Sequence, residues 1–194
     1  MNLAQHLPEM AVAAALAWGS GLRAYAVIFL AGLAGALGWI ELPGHLALLQ
    51  HPLVLAASGF MTLVEFFADK LPWLDSVWDA VHSFIRIPAG AALAAAVFGD
   101  SGAAVALAAA ILGGTLAAGV HLAKSGTRAA LNTSPEPVSN WAASLSEDAL
   151  VPVGLWLAVA RPLMFFALLA AFLIVAAVLA RLLWRGLARI ISST

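Results

Sequence analysis

Residues 163–180 carry no charge, and the stretch is long enough and apolar enough to cross a lipid bilayer as one helix. The rest of the chain is similar, because 63% of its residues are hydrophobic and only 10% are charged, whereas a soluble domain carries about a quarter charged residues. A chain of 194 residues has room for roughly five or six spanning helices of about 20 residues each. We therefore predict an all-α integral membrane protein, a polytopic helical bundle with five or six membrane segments in one transmembrane domain over residues 1–194.

Several function classes find no support in the sequence. The net charge is −1 and no run of Lys or Arg occurs, so no nucleic-acid partner is expected. The chain has no cysteine, which excludes disulfides and thiolate metal sites. The motifs G-x-S-x-G, H-E-x-x-H and G-x-x-x-x-G-K-[ST] do not occur. An enzyme is therefore less expected than a non-enzymatic protein, and no catalytic residue or cofactor is identified.

Some membrane segments should be broken or re-entrant. Gly19-Ser20-Gly21 interrupts the first apolar stretch, which predicts either one long kinked helix or two half-helices whose break exposes backbone polar groups. A helix that begins at Pro52 should run to residue 71, because Pro72 stops it. Pro88 should begin a short separate segment that ends at residue 98.

The region after residue 131 should also be irregular. Pro135 and Pro137 lie two positions apart, which excludes a regular helix over residues 132–140. A short helix capped by Ser139 or Asn140 should follow and end at residues 147–148. Residues 151–160 are apolar but too few to cross the bilayer alone, so they should be re-entrant or one limb of a kinked span.

The first concentration of polar residues is residues 65–86. Ionisable groups next to a membrane segment are costly unless they are paired, hydrated or bound to a ligand. At about 100° per residue, the polar positions between 75 and 86 fall on one helical face. The candidate binding residues of this stretch are Glu65, Asp69, Lys70, Asp75, Asp79, His82 and Arg86.

The second concentration is residues 121–148. Its first four polar residues recur at intervals of three, four and four, so they form a basic helical face, and acidic residues follow. The candidate binding residues here are His121, Lys124, Arg128, Asn132, Glu136, Asn140, Glu147 and Asp148. Residues 20–24 and 125–129 both read S-G-x-R-A, which hints at two related halves, about 1–98 and 99–194.

These two polar stretches resemble a bacterial membrane family catalogued as domain of unknown function 4126. The resemblance covers most of the chain, and its two motifs are long enough to be specific. It implies a small polytopic protein of the bacterial envelope and no particular activity. A weaker match includes Gly21-Leu22-Arg23-Ala24-Tyr25. The residues that carry the resemblance are Glu65-Phe-Phe-Ala-Asp69-Lys70, Pro72, Asp75, Trp78-Asp79, His82, Arg86-Ile-Pro88-Ala-Gly90, His121, Lys124, Arg128, Asn132-Thr-Ser-Pro-Glu-Pro137, Ser139-Asn140 and Glu147-Asp148.

One chemistry that fits the first stretch is a metal site. Asp75, Asp79 and His82 have helical spacing suited to a divalent cation, and Glu65 and Asp69 could add oxygen ligands. The same stretch also contains a lysine and an arginine, which could simply neutralise these carboxylates.

Three other chemistries remain open. His82 or His121 beside carboxylates could relay protons. The basic face of His121, Lys124 and Arg128 could hold a phosphate or carboxylate, with Arg128 supplying a planar fork. The basic face could instead pair with the acidic one and form a buried structural network.

The leading hypothesis is a transporter or channel for a small ion or polar solute, coupled to protons or cations through the first stretch. Lys124, Arg128 and Asn132 would then balance charge or hold an anionic group. Glu147 and Asp148 would line an entrance. One alternative is the binding or processing of an anionic lipid headgroup at His121, Lys124 and Arg128, and another is a structural scaffold.

The membrane placement follows from charges and small residues. Arg181, Arg185 and Arg189 follow the last apolar segment, which places the C-terminus on the cytoplasmic side by the positive-inside rule. With the bacterial origin that the resemblance implies, the expected location is the bacterial inner membrane. Small residues at intervals, as at Gly32 and Gly35, allow close helix packing and homo-oligomerisation in the bilayer.

Overall fold

The computed structural model describes residues 3–131 and 137–192, and these form six α-helices and two short 3-10 helices with no β-strand among them. The prediction of an all-α fold is therefore confirmed. The 3-10 helices are Gly44–Gln50 and Gly99–Ser101. The α-helices are α1 (Leu3–Ala36), α2 (Pro52–Ala68), α3 (Pro72–Val97), α4 (Ala103–Leu131), α5 (Pro137–Ala160) and α6 (Pro162–Ser192).

Five of these helices are long and apolar enough to cross a membrane, so the chain is a multi-pass membrane protein. Large apolar side chains such as Phe84 on α3 and Ile111 on α4 point outward, as lipid contact requires. Charged side chains of the same helices, such as Asp79 and Lys124, are buried. The candidate spans are His6–Ala36, Val77–Val97, Ala103–Leu131, Val138–Ala160 and Pro162–Leu182, and α2 is a shorter apolar helix.

The first helix is broken at Arg23, whose φ of −148° and ψ of 84° are not helical. An added Cβ at Gly19 would lie 2.6 Å from a methyl carbon of Val27, although eight residues of straight helix span about 12 Å. The chain therefore folds back at Arg23 into two limbs, residues 3–22 and 24–36. The sequence predicted an interruption at Gly19–Gly21, and the structure places it two residues later.

Both ends of α1 lie at the same end of the bundle. Met10 in the first limb lines a cavity together with Phe98, which follows α3 directly. His45, which follows the second limb, lies against Gly99. The second limb then packs along α2, where Phe29 contacts Gly59. Arg23 and the C-terminal end of α2 therefore both lie in the interior of the bundle.

Aromatic rings and closely packed backbones hold together the end of the bundle that contains Met10 and Phe98. The Trp18 ring lies edge-on to Phe165 and Phe172, with centroids 6.2 and 5.6 Å away. Where α3 and α4 cross, a Cβ at Gly113 would lie 2.8 Å from the Gly90 carbonyl oxygen, so only small residues fit there. We call this region the apolar half of the bundle. Its core residues are Ala17, Trp18, Gly90, Ala94, Gly113 and Phe165.

Three of the sequence-based helix boundaries are wrong. Pro88 does not begin a new segment, since α3 runs through it from Pro72 to Val97. Residues 139–148 and 151–160 are not separate pieces, because α5 is one helix that contains Pro152. Packed helices in a membrane tolerate an internal proline when neighbours and local adjustments satisfy the freed backbone groups. The helix from Pro52 ends at Ala68, three residues earlier than predicted.

Candidate functional site

The polar side chains of the first five helices meet in one buried ionic network. Within the described part of the chain it comprises five cations and five carboxylates, so it is electrically balanced when all ten groups are ionised. It lies beyond the apolar half, at the end of the bundle where α2 ends and α5 begins, and we call this end the charged half. The ten residues are Arg23, Lys70, Arg86, Lys124, Arg128, Glu65, Asp69, Asp79, Glu147 and Asp148.

Asp69 lies at the centre of this network. Its Oδ2 accepts from Lys124 Nζ at 3.0 Å and lies 3.0 Å from Arg23 Nη2, and the side chain is fully buried. Asp69 is the C-terminal cap of α2, where the helix dipole disfavours a negative charge. The two cations offset both the unfavourable helix dipole and the cost of removing the Asp69 carboxylate from water.

Arg86 joins α2 to α3 through its two terminal nitrogens. Nη2 donates to Glu65 Oε1 at 2.6 Å, and Nη1 donates to Asp79 Oδ1 at 2.5 Å. Asp79 also lies 3.4 Å from Lys124 Nζ. The planar guanidinium suits such a fork between two carboxylates, which the point charge of a lysine could not reproduce.

Arg128 and Glu147 form a two-point ion pair between α4 and α5. Arg128 Nε donates to Glu147 Oε1 at 3.2 Å, and Nη2 donates to Oε2 at 3.1 Å. The remaining nitrogen donates to the side-chain oxygen and the backbone carbonyl of Asn140 and to the carbonyl of Asp69. Lys124 Nζ lies 3.2 Å from the same Glu147 Oε2. Arg128 and Lys124 therefore share this carboxylate, and Arg23 Nη2 lies 3.9 Å from the same oxygen.

The break in α1 opens into the network. Lys124 Nζ donates to the carbonyl oxygen of Leu22 at 3.2 Å, a backbone group at the point where the helix is interrupted. Arg23 Nη2 donates to Ser144 Oγ at 3.0 Å, and its Nε lies 2.9 Å from Asp148 Oδ1. Side chains of α4 and α5 thus provide the polar partners that a broken helix needs inside a membrane protein.

Lys70 lies at the rim, in the connection between α2 and α3. Its Nζ donates to the Phe66 carbonyl at 3.0 Å, lies over the Phe66 ring and is 3.8 Å from Asp148 Oδ2. Burial holds the pKa of Lys70 below its usual value, and the nearby Asp148 carboxylate acts in the opposite direction.

The two candidate histidines have different surroundings. His121 Nδ1 lies 3.2 Å from Arg86 Nη1, and His121 Nε2 lies 2.6 Å from Ser83 Oγ. The Ser83 hydroxyl also donates to the Asp79 carbonyl at 3.0 Å. His82 stacks on Trp78 with ring centroids 4.0 Å apart, and its Nδ1 lies 2.8 Å from the Trp78 carbonyl.

A crevice leads from the surface toward the network between α4, α5 and α6. Its volume is about 170 Å³, and its walls are mostly apolar side chains, including Phe172 and Val175 of α6. Lys124 and Glu147 are its charged residues. The crevice therefore reaches the network at Lys124 and Glu147.

A family model described as "Domain of unknown function (DUF4126)" matches residues 10–182. The chain belongs to this family. No curated protein and no solved structure matches the chain. The DUF4126 match covers every residue of the ionic network, and the resemblance noted in the sequence is confirmed.

Most of the candidate residues of this DUF4126 protein are brought together by the fold. Twelve are described, and eleven of them either belong to the network or, like His121 and Asn140, contact its arginines. His82 lies beside the network, against aromatic rings. Lys70 joins only at the rim. The side chain of Asp75 and the whole of Asn132 and Glu136 lie outside the described residues.

The contacts bear on two of the proposed ligands. Among the side chains that the structure describes, no three His, Asp or Glu groups lie close enough to hold a metal ion, and the divalent-cation site stays a prediction. The donors of Lys124 and Arg128 point to Asp69, Asn140 and Glu147. The hypothesis of an anionic headgroup therefore gains no support from these contacts.

Sequence reasoning missed Arg23 as a site residue. It is 1% exposed and contacts carboxylates of α2 and α5. The repeated S-G-x-R-A pattern was the available signal, because Arg128 in the second copy was selected and Arg23 in the first was not. Both arginines enter the network. Ser83 and Ser144 had no comparable signal, since a single serine in a helix is not distinctive.

Proposed function

We propose that this protein is a membrane transporter or channel for a small ion or polar solute, and that its ionic network is the coupling site. The observation that carries the proposal is a balanced set of ten ionisable groups at a helix break inside a membrane protein. Ionisable residues within membrane segments usually mark ion pathways or proton relays.

Stability alone does not account for such a network. Replacing buried ion pairs by well-packed apolar residues is often neutral or stabilising, by about 1–4 kcal/mol. The apolar half of this bundle is packed without charges, so the chain has such a solution available. Broken helices whose freed backbone groups face a polar centre are also a common device of transporters.

The network offers a physical route to coupling. Asp69 and Glu147 share Lys124 between them, and Lys124 also holds the carbonyl at the break in α1. Neutralising one carboxylate would release part of the hold on Lys124, and with it the contact between α4 and the folded-back limbs of α1. The crevice between α4, α5 and α6 would supply solute access.

The charged half would face the cytoplasm in this proposal. Since α6 runs from the apolar half past Leu179 in the crevice, Arg181 and Arg185 follow at the end of the charged half. The positive-inside rule then orients this end, and the C-terminus, toward the cytoplasm of a bacterial inner membrane.

Flux through purified protein in liposomes tests the proposal. With a pH-sensitive dye inside the vesicles and an imposed membrane potential, wild-type protein should admit protons or a tested cation faster than empty liposomes. Asp79→Asn should reduce that flux at least tenfold, because it removes one carboxylate of the coupling site. The fold should survive, since Arg86 and Lys124 keep other carboxylates. Asp100→Asn, an exposed position paired with His45, is the matched control and should keep full flux. Equal flux in wild type and Asp79→Asn would overturn the coupling site.

A structural scaffold is the second candidate, because the five cations and five carboxylates balance. The double variant Glu65→Met/Arg86→Met removes one charge of each sign and should fold better than either single variant. If wild-type protein passes no solute or ion while the double variant is as stable as wild type, the scaffold is favoured over transport.

A further inference from the structure

Glu65 and Asp69, two neighbouring carboxylates of the network, each have one oxygen atom without a hydrogen-bond partner among the described residues. Glu65 is fully buried, and its Oε1 accepts from Arg86. Its other oxygen, Oε2, has no hydrogen-bond partner in the part of the chain that the structure describes. Oδ1 of Asp69 is also buried without a partner there, and Asp69 follows Glu65 by one helical turn on α2, the spacing at which side chains are neighbours.

Glu65 also has the weakest cationic support. Asp148 lies near two cations, Asp79 lies near Arg86 and Lys124, and Asp69 and Glu147 each lie near three. Among the described residues Glu65 pairs with Arg86 alone, and Arg86 is shared with Asp79. Burial disfavours the charged form of a carboxyl group, so the carboxylate with the fewest cations is the one that takes a proton most easily.

Charged and titratable side chains face Glu65 from three other helices. Arg23 and Tyr25 face it from α1, Arg86 from α3 and Lys124 from α4, while Asp69 lies on its own helix. Arg23 and Lys124 direct their nitrogens at Asp69 Oδ2. Asp69 adds a negative charge beside Glu65. Within the described part of the chain, Arg86 is therefore the single cation in contact with Glu65.

We propose that Glu65 holds a proton at neutral pH and that Glu65 and Asp69 together form a proton-binding site. The proton resides on Oε2 of Glu65, which then becomes a donor, and the unpartnered Oδ1 of Asp69 is the acceptor one turn away. Oε1 still accepts from Arg86 as a carbonyl oxygen. One proton thus completes both unpartnered oxygen atoms.

This inference deepens the proposed function and rests on it for its role: Glu65 is the residue that loads and releases the coupled proton. With Glu65 neutral, five cations face four carboxylates, and release of the proton restores the balance of five and five. The charge of the network therefore changes by one unit at each loading step, beside the Lys124 that lines the crevice.

Infrared spectroscopy of the purified protein in liposomes at neutral pH tests the site without any transport measurement. A protonated carboxyl group has a carbonyl stretch that shifts in D₂O, whereas exposed carboxyl groups are ionised at this pH. Wild-type protein should show this band, Glu65→Gln should lose it, and Asp100→Asn should keep it. Asp79→Asn should weaken the band, because Arg86 is then free to pair with an ionised Glu65.

The outcomes separate this inference from the proposed function. A wild-type protein without the band, or a band that persists in Glu65→Gln, overturns the proton site even if flux is measured. A band that is lost in Glu65→Gln, in a protein that passes no ion, keeps the proton site and removes transport. If Glu65→Gln does not fold, the wild-type band and its weakening in Asp79→Asn decide the matter, since a full-strength band in Asp79→Asn contradicts the role of Arg86.

Discussion

The two halves of the bundle are built from the same helices but held together in different ways. In the apolar half, α1, α3 and α4 approach each other through alanine and glycine. In the charged half, arginine, lysine and carboxylates fill the same inter-helix space. On α3, Gly90 and Arg86 are one turn apart, and Ala117 and His121 stand in the same relation on α4. The change from one kind of packing to the other is therefore completed within a single helical turn.

Each half of the bundle tolerates a different kind of substitution. In the apolar half the constraint is size, because the backbones leave no room for additional atoms. In the charged half the constraint is pairing, because removing one partner leaves a buried charge without compensation. A substitution that changes only size should therefore have a large effect in the apolar half and a small one in the charged half. A substitution that changes only charge should show the reverse.

The largest expected effect is in the charged half. Asp69→Asn keeps the size of the side chain but leaves Arg23 and Lys124 without their shared carboxylate. Breaking a buried ion pair in this way costs about 3–5 kcal/mol. Unfolding in mixed micelles with increasing SDS, followed by circular dichroism, measures the loss.

The control for Asp69→Asn is Asp100→Asn. Asp100 pairs with His45 at 3.2 Å, but both side chains are more than half exposed, and exposed ion pairs contribute little. If the two variants unfolded at the same SDS fraction, pairing would not be what limits the charged half.

A smaller effect is expected from adding one methyl group in the apolar half. Gly113→Ala places a Cβ within 2.8 Å of the Gly90 carbonyl oxygen, so α3 and α4 must move apart, at a cost of about 1–3 kcal/mol. The same SDS titration applies. Gly119→Ala lies on the same helix and meets nothing within 4 Å, so it should be neutral or gain about 0.5–1 kcal/mol from helix propensity. Equal losses for both variants would show that close approach is not the constraint.

Sequence reasoning identified the features that lie within single helices. The helical period alone predicted the basic face of Lys124 and Arg128, and these residues do point inward together. The apolar spans were equally evident from composition. Both inferences use only spacing within one helix, which the sequence records directly.

Contacts between helices were beyond the sequence. Arg23 reaches Ser144, 121 positions later, and this pairing depends on how the limbs of α1 fold back. The register of α3 on α4 is set by glycine contacts such as Gly90 with Gly113, and many alanines and glycines could have served equally well. Pro88 and Pro152 misled because proline breaks a helix in water, whereas packed membrane helices accommodate it.

The smallest predicted effect lies at the rim of the charged half, where a neutral hydrogen bond replaces an ion pair. Trp141 Nε1 donates to the Lys70 carbonyl at 3.2 Å and ties α5 to the connection between α2 and α3. Trp141→Phe keeps most of the ring and removes the donor, so it should cost about 0.5–1.5 kcal/mol in the SDS titration. Trp156→Phe, at an exposed position on the same helix, controls for the change of ring. A Trp141 loss as large as that of Asp69→Asn would mean that hydrogen bonds at the rim, and not buried charge pairs, hold the charged half together. A loss no larger than that of Trp156→Phe would confine the constraint to the buried ions.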